Sequence, residues 1–284
     1  MDVTFFGTRG SCPCAGERYG VYGGNTSCGL VQTADGTPLI LDLGTGLRML
    51  GQSLVKSAHA EGSPLRATVL LSHLHFDHIF GLPFFGPLLM RGAVLDVYGP
   101  RQAGGSLADA VSGLFGPPYF PVSLPELGGR VTFHDVTEDE FMVGDARVIA
   151  RAVPHLGETL GFRVEGDGQS IAYVPDHQAP RDQQGVPTGV LELCDGADLV
   201  VHDSQYTTQE FQTKSHWGHS TPDFAAHVAR EAGAHRLLLF HHDPSRDDQG
   251  VETLERQAQL THRHGPLTEV TAAREGATID LGAP

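Results

Sequence analysis

The stretch His73-Leu74-His75-Phe76-Asp77-His78 constrains this chain more than any other, because it packs three imidazoles and a carboxylate into six residues. The run Ala67-Thr68-Val69-Leu70-Leu71 comes directly before it, short, apolar and partly β-branched, and reads as a buried strand. The cluster therefore sits where a strand ends and the chain turns. Burying such groups without a partner is costly. Neutral imidazole and carboxylate are the ligand types of zinc, iron and manganese. Alternate side chains of an extended segment share a face, so His73 and His75 can point at one ion. Asp77 and His78 lie past the turn and can reach a second.

Further polar residues close apolar runs downstream. His155 lies in Val153-Pro154-His155-Leu156-Gly157, Asp176 follows Ser170-Ile171-Ala172-Tyr173-Val174-Pro175, and His241 follows Arg236-Leu237-Leu238-Leu239-Phe240. His-x-His-x-Asp-His after a buried strand, with these landmarks in this order, resembles the signature of the metallo-β-lactamase superfamily. The resemblance covers nearly the whole chain. It implies an α/β fold, a four-layer αββα sandwich of two mixed sheets flanked by helices, formed by a single domain over residues 1–284. A narrower similarity rests on Asp198-Leu199-Val200-Val201-His202-Asp203, Gly218-His219-Ser220-Thr221 and Leu239-Phe240-His241-His242. These resemble the C-terminal half of ribonuclease Z-like phosphodiesterases. The opening Phe6-Gly7-Thr8-Arg9-Gly10-Ser11, with Gly23-Gly24-Asn25-Thr26, resembles a bacterial branch described as cyclic-nucleotide phosphodiesterase-like.

The resemblance implies a metal site with residues in named roles. His73, His75 and His155 would hold one divalent ion, and Asp77, His78 and His241 a second. Asp176 would bridge them, with Asp203 the alternative for that role. Zinc is the first expectation, with manganese or iron(II) as alternatives. Two such ions about 3.5–4 Å apart can clamp the attacking and leaving oxygens of a displacement and lower the pKa of a bound water to roughly 7. Asp77 and His219 are the catalytic candidates, His219 as a proton donor to the leaving alkoxide or a stabiliser of phosphoryl charge. Asp42 is expected to hydrogen-bond the loops beneath the metals. Asp203, if it does not bridge, would orient a ligand or the catalytic His. Arg9, Asn25 and Thr26, in glycine-rich loops, could contact a phosphate through a guanidinium fork or backbone N–H groups. His202, His216 and His242 are expected either to support the ligands or to be exposed. His59, His227, His235, His262 and His264 lack supporting neighbours and read as solvated.

Composition narrows the partners. The chain has 284 residues, 40% of them hydrophobic, which suffices for one large core. Its formal charge of −15 argues against a broad electrostatic grip on nucleic acid. A small anionic substrate stays compatible, because bound cations invert the local field. About twenty residues separate His155 from Asp176. That gap is too short for the protruding tRNA-gripping arm that the ribonuclease Z resemblance would imply. The expected reaction is hydrolysis of a small nucleotide phosphodiester, such as a 3′,5′-cyclic nucleotide. The alternatives are 3′ processing of tRNA or other RNA, and hydrolysis of a thioester, lactone or β-lactam at the same centre. No apolar run reaches membrane-spanning length and no signal-peptide pattern opens the chain, so a cytoplasmic location is expected. Cys12, Cys14, Cys28 and Cys194 read as reduced thiols. Cys12-Pro13-Cys14 is too tight for a relaxed disulfide, and a Cys12/Cys14/Cys28 metal site is the competing reading. A homodimer is left open.

Local patterns supply the remaining elements. Strands are expected at residues 3–6, 28–33, 38–42 and 94–98, with a hairpin turn at Asp35-Gly36 and several strands from Arg130 to Val174. Turns are expected at Glu138-Asp139 and at Glu165-Gly166-Asp167-Gly168. Helices are expected after Gly44-Thr45-Gly46, from Gly105 to Leu114, from Thr221 to Glu231 and from Asp247 to His264. Residues 81–87 read as a loop or short helix. Phe115-Gly116-Pro117-Pro118-Tyr119-Phe120-Pro121-Val122 reads first as ordinary packing; its functional reading is a substrate-pocket wall, since aromatic rings stack on bases.

Overall fold

A computed structural model describes residues 1–262 and 265–282. The first sheet contains β1 (Asp2–Gly7), β2 (Cys28–Gln32), β3 (Pro38–Leu41), β4 (Arg66–Leu70), β5 (Val94–Pro100), β6 (Arg130–Val136) and β14 (Thr278–Asp280), in the order β14-β1-β2-β3-β4-β5-β6. The second contains β7 (Glu140–Val143), β8 (Ala146–Ala152), β9 (Leu160–Gly166), β10 (Gln169–Val174), β11 (Leu199–Asp203), β12 (Arg236–Phe240) and β13 (Glu269–Ala272), in the order β13-β12-β11-β10-β9-β8-β7. Both sheets are mixed. β3 to β6 run parallel in one, and β10 to β13 run parallel in the other.

Three apolar layers hold the sandwich together. Val31, Leu41, Val148, Phe162, Ile171 and Phe240 fill the space between the sheets. On one outer face Leu47, Leu50 and Leu54 of helix α1 (Leu47–Glu61) pack on Ile40, Val69 and Val97. Their spacing of three and four residues is what turns one stripe of the helix inward. On the other outer face helices α4 (Thr188–Cys194), α6 (Pro222–Glu231) and α7 (Asp248–His262) cover the second sheet. Each fully buried Leu, Val or Phe contributes about 1.5–3 kcal/mol. Strands β4, β10, β11 and β12 are covered on both faces. They therefore read as continuous apolar runs rather than alternating ones.

The expected elements are present with small shifts. The helix after Ser106 is α3 (Leu107–Ser112), shorter than 105–114, and closed at its start by a capping box of Ser106 and Asp109. Residues 81–87 resolve into 3₁₀ turns at Leu82–Phe84 and Gly86–Leu89. Thr221 caps α6 by accepting from the Phe224 N–H, and Gly233 follows it with φ +68°. Helix α7 was expected to reach His264; residues 263 and 264 lie outside the described residues. The short helices α2 (Phe76–Ile79), α4 and α5 (Thr208–Lys214), and strands β13 and β14, have no counterpart in the sequence reading. They are too brief for a periodicity window to register. None of the helices is long and apolar enough to cross a membrane, among the described residues.

Candidate metal centre

The parallel strands bring their carboxyl ends to one edge of the sandwich, the usual place for a ligand site in such sheets. His73 and His75 follow β4, and Asp77 and His78 sit on α2. Asp176 follows β10, Asp203 ends β11 and His241 follows β12, while His155 lies in the loop after β8. The structure draws all of these residues together, although Asp77 and His241 stand 164 positions apart in sequence.

One group is made of imidazoles. His73 Nε2 lies 3.0 Å from His75 Nδ1, which lies 3.2 Å from His155 Nε2. The outer nitrogens settle the tautomers. The Ser72 hydroxyl donates to Asp42 Oδ2, so it can only accept from His73 Nδ1 at 3.0 Å. His155 Nδ1 donates to the Gly218 carbonyl at 2.7 Å. Lone pairs of His73 and His155 therefore face inward. Burial pushes the pKa of all three imidazoles down, which keeps them neutral and able to bind a cation. Gly218 (φ +95°) must be glycine here, since a Cβ would lie 2.5 Å from the His155 ring.

The other group is richer in carboxylate and fully enclosed. His78 Nε2 lies 3.2 Å from Asp77 Oδ2 and 3.1 Å from Asp176 Oδ2. His241 Nε2 lies 3.0 and 3.4 Å from the same two oxygens. His78 Nδ1 donates to Asp42 Oδ2 at 2.7 Å, and His241 Nδ1 donates to Gln205 Oε1 at 2.8 Å. Burial works against charge on every member, and the mutual attraction outweighs it. Asp77 and Asp176 are held well below the usual carboxylate range by the neighbouring imidazoles. His78 is raised, and His241 is raised to about 9, by the facing carboxylates.

Asp176 spans the two groups. Its Oδ1 lies 3.9 Å from His73 Nε2 and 3.7 Å from His155 Nε2, while its Oδ2 faces His78 and His241. Asp203 does not. Its Oδ2 accepts from His219 Nδ1 at 2.9 Å and from the His177 N–H, and its Oδ1 accepts from the Gln205 N–H. That bond directs His219 Nε2 away from Asp203, with the ring stacked 4.8 Å from His241. Asp42 ties the floor together, accepting from Ser72 N, Ser72 Oγ, His78 Nδ1 and Tyr173 Oη.

These residues fit a metal. His78 Nε2 and Asp176 Oδ2 are buried, side by side and without a hydrogen-bond partner. Asp42, Asp77, Asp176 and Asp203 are buried, and imidazoles are their only ion-pair partners among the described residues. Carboxylates so enclosed, with imidazoles beside them, would suit a cation of greater charge density. Asp42 (φ +58°) and His241 (φ +61°) hold left-handed backbone at this edge, strain of the kind that gathers at functional sites.

The structure shows where the remaining candidates lie. Arg9 is fully buried, and its guanidinium donates to the carbonyls of Gly23, Asp243 and Arg246. Asn25 engages Glu275 through both its backbone N–H and its amide, and Thr26 Oγ1 accepts from the Thr45 N–H. Their polar groups brace loops. The Cys12/Cys14/Cys28 site is not assembled: Cys12 is exposed, Cys28 lies in the core, and no candidate metal group among the described residues contains cysteine. His202 and His242 are buried: His202 Nε2 meets His177 Nδ1 at 2.9 Å, and His242 Nε2 donates to the Ala273 carbonyl. His59, His216 and His235 are exposed.

Gln205 carries no sequence signal, and Gly10 and Ser11 were legible only as part of the opening motif, yet all three touch the centre. The Ser11 N–H donates to Asp77 Oδ2 at 2.7 Å, and Gln205 Nε2 lies 3.3 Å from Ser11 Oγ. A Cβ on Gly10 would sit 2.3 Å from the His241 ring. A buried His177, next to Asp176, was equally silent, since it stands alone in its segment.

The comparisons agree with this architecture. A match to the family described as the β-lactamase superfamily domain spans residues 39–242. Ribonuclease Z of Lactococcus lactis subsp. cremoris is 29% identical over 245 residues, which cover 68% of this chain and 76% of that protein. An uncharacterized protein of Mycobacterium tuberculosis is 30% identical over 234 residues, covering 74% and 72%. The crystal structure of the short form of human tRNase Z superposes with a TM-score of 0.68 at 25% identity, over 100% of both chains. Two stacked mixed sheets, a His/Asp cluster at their shared edge and these relatives lead to one conclusion: the chain belongs to the metallo-β-lactamase superfamily, in its ribonuclease Z-like branch, and is a metal-dependent hydrolase.

Proposed function

We propose that this hydrolase cleaves small nucleotide phosphodiesters, with 3′,5′-cyclic nucleotides the first candidates, at a dinuclear centre. His73, His75 and His155 would hold one divalent ion and Asp77, His78 and His241 the other, with Asp176 shared between them. Zinc suits the imidazole-rich set, and manganese or iron(II) could take it too. Bound ions would supply an activated water and neutralise charge on the phosphoryl oxygens. The single observation that carries the reading is the split of Asp176, one oxygen toward each group.

The chain's own residues do the rest. Asp203 fixes the His219 tautomer with hydrogen on Nδ1, so Nε2 is the atom that would meet the substrate. Protonated, it can donate to the leaving alkoxide oxygen. Ser11 and Gln205 hold Asp77 and His241 in place, and Asp42 does the same for His78.

The RNA reading has support in the 29% identity with ribonuclease Z. A charge of −15 works against it. So does the compact β9–β10 hairpin between His155 and Asp176, which turns tightly at Asp167 and Gly168, both with positive φ. The test is a turnover screen of the metal-analysed protein against cyclic nucleotides, dinucleotides, precursor tRNA and a thioester. Cleavage of the small phosphodiesters with the highest kcat/KM is expected. Preference for precursor tRNA or for the thioester would overturn the proposal.

A further inference from the structure

Helix α2 has two unlike faces. Asp77 and His78 are buried against the centre, whereas Phe76 and Phe80 are 67% and 54% exposed. Those two rings open onto a cavity of about 500 Å³, within the size range of small-ligand pockets. Its floor is buried and apolar, formed by Ile79, Leu82 and Val111. Phe84 and Tyr119 stand over it, 55% and 79% exposed, beside Phe120. Tyr119 is the only lining residue with a polar side-chain atom. The rings do not stack on one another. Phe80 and Phe84 are tilted by 41° at 6.3 Å, and Phe84 meets Phe120 edge-on at 6.2 Å, so ring faces stay open.

Exposed aromatic rings around a concave apolar floor do not stabilise the fold and mark a place of binding. The cavity and the centre share helix α2, whose Phe76 lines the one while Asp77 and His78 face the other. Phe76 stands between His75 and Asp77, and His75 is the exposed member of the imidazole group. We infer that the cleft receives the uncharged planar ring attached to the scissile phosphodiester, a nucleobase in a nucleotide, and holds it by stacking. With no hydrogen-bonding wall, it does not read base edges. Affinity therefore follows ring area, purine above pyrimidine, and drops for a substrate with no base. This inference rests on the phosphodiesterase reading for the identity of the ligand, and on geometry alone for the location of the ring.

The test measures binding rather than turnover. Calorimetry compares adenosine monophosphate, cytidine monophosphate and ribose 5-phosphate on the metal-loaded wild-type protein, Phe84→Ala, Tyr119→Ala and Phe84→Trp. Both positions are exposed, so the fold is expected to survive, as a thermal melt will confirm. Stacking on one ring predicts a loss of roughly five- to hundredfold in adenosine monophosphate affinity for Phe84→Ala. Ribose 5-phosphate affinity should stay unchanged, and Phe84→Trp should restore the loss. Equal weakening of all three ligands overturns the inference. So does unchanged affinity, including the case where the alanine variants turn a dimer into a monomer in light scattering, which would make the cleft an interface between copies. Absence of phosphodiester turnover in the wild type would sink the proposed function and leave this measurement readable.

Discussion

The two groups of ligands at the sheet edge are built differently. The imidazole group is neutral, shallow and open at His75. The group of Asp77, His78 and His241 is closed on all sides and braced from behind by Asp42, Ser11 and Gln205. A shallow neutral group suits exchange with substrate and solvent. A deep one with two carboxylates would suit retention of a cation, which would take over the charge balance that the raised imidazoles supply. The difference teaches that, on the proposed function, the centre would be anchored from its deep side and would work from its shallow side.

Asp176 is where this asymmetry would fail first. Asp176→Ala removes the one carboxylate that faces both groups. Turnover should fall to background and metal content below two ions per chain, read by turnover and elemental analysis. Full activity with two ions retained would dissolve the link between the groups. The next largest effect belongs to His219→Ala, which should lower kcat by about 10²- to 10⁴-fold with metal content intact. Unchanged turnover would remove His219 from the reaction.

Smaller effects probe the bracing. Gln205→Leu removes the acceptor of His241 Nδ1, and Gly10→Ala drives a Cβ against the same ring. Each should weaken metal binding about 10- to 100-fold in the deep group alone, so that titration with limiting metal approaches one ion per chain. Equal weakening of both sites would mean that the two groups share one scaffold. The smallest effect is expected from Cys12→Ser and Cys14→Ser. Both should leave metal content unchanged and shift stability by no more than about 0.5 kcal/mol. Loss of an ion from either variant would reinstate a thiolate ligand.

Much of the fold was legible where the signal is local. The apolar run ahead of His73, the helical spacing of Leu47, Leu50 and Leu54, and the Thr221-Pro222 start of α6 all depend on neighbours a few residues away. Helices α4 and α5 escaped because seven residues carry too few turns to show a period. Arg9 misled for a related reason. A glycine-rich loop with an arginine looks the same in sequence whether the guanidinium points at a ligand or, as here, at the carbonyls of Gly23, Asp243 and Arg246.

From residue types and spacing came the cation-binding hexapeptide, three imidazoles and a carboxylate at the end of an apolar strand. Spacing suffices for that because backbone geometry dictates side-chain direction over a few residues. The stacking of two sheets assigned the rest: the opposed oxygens of Asp176, the tautomers of His73 and His155, the pairing of Asp203 with His219 and the reach of Gln205 to His241. Those contacts join segments far apart along the chain, and their geometry depends on how whole layers pack, which no short window of residues contains.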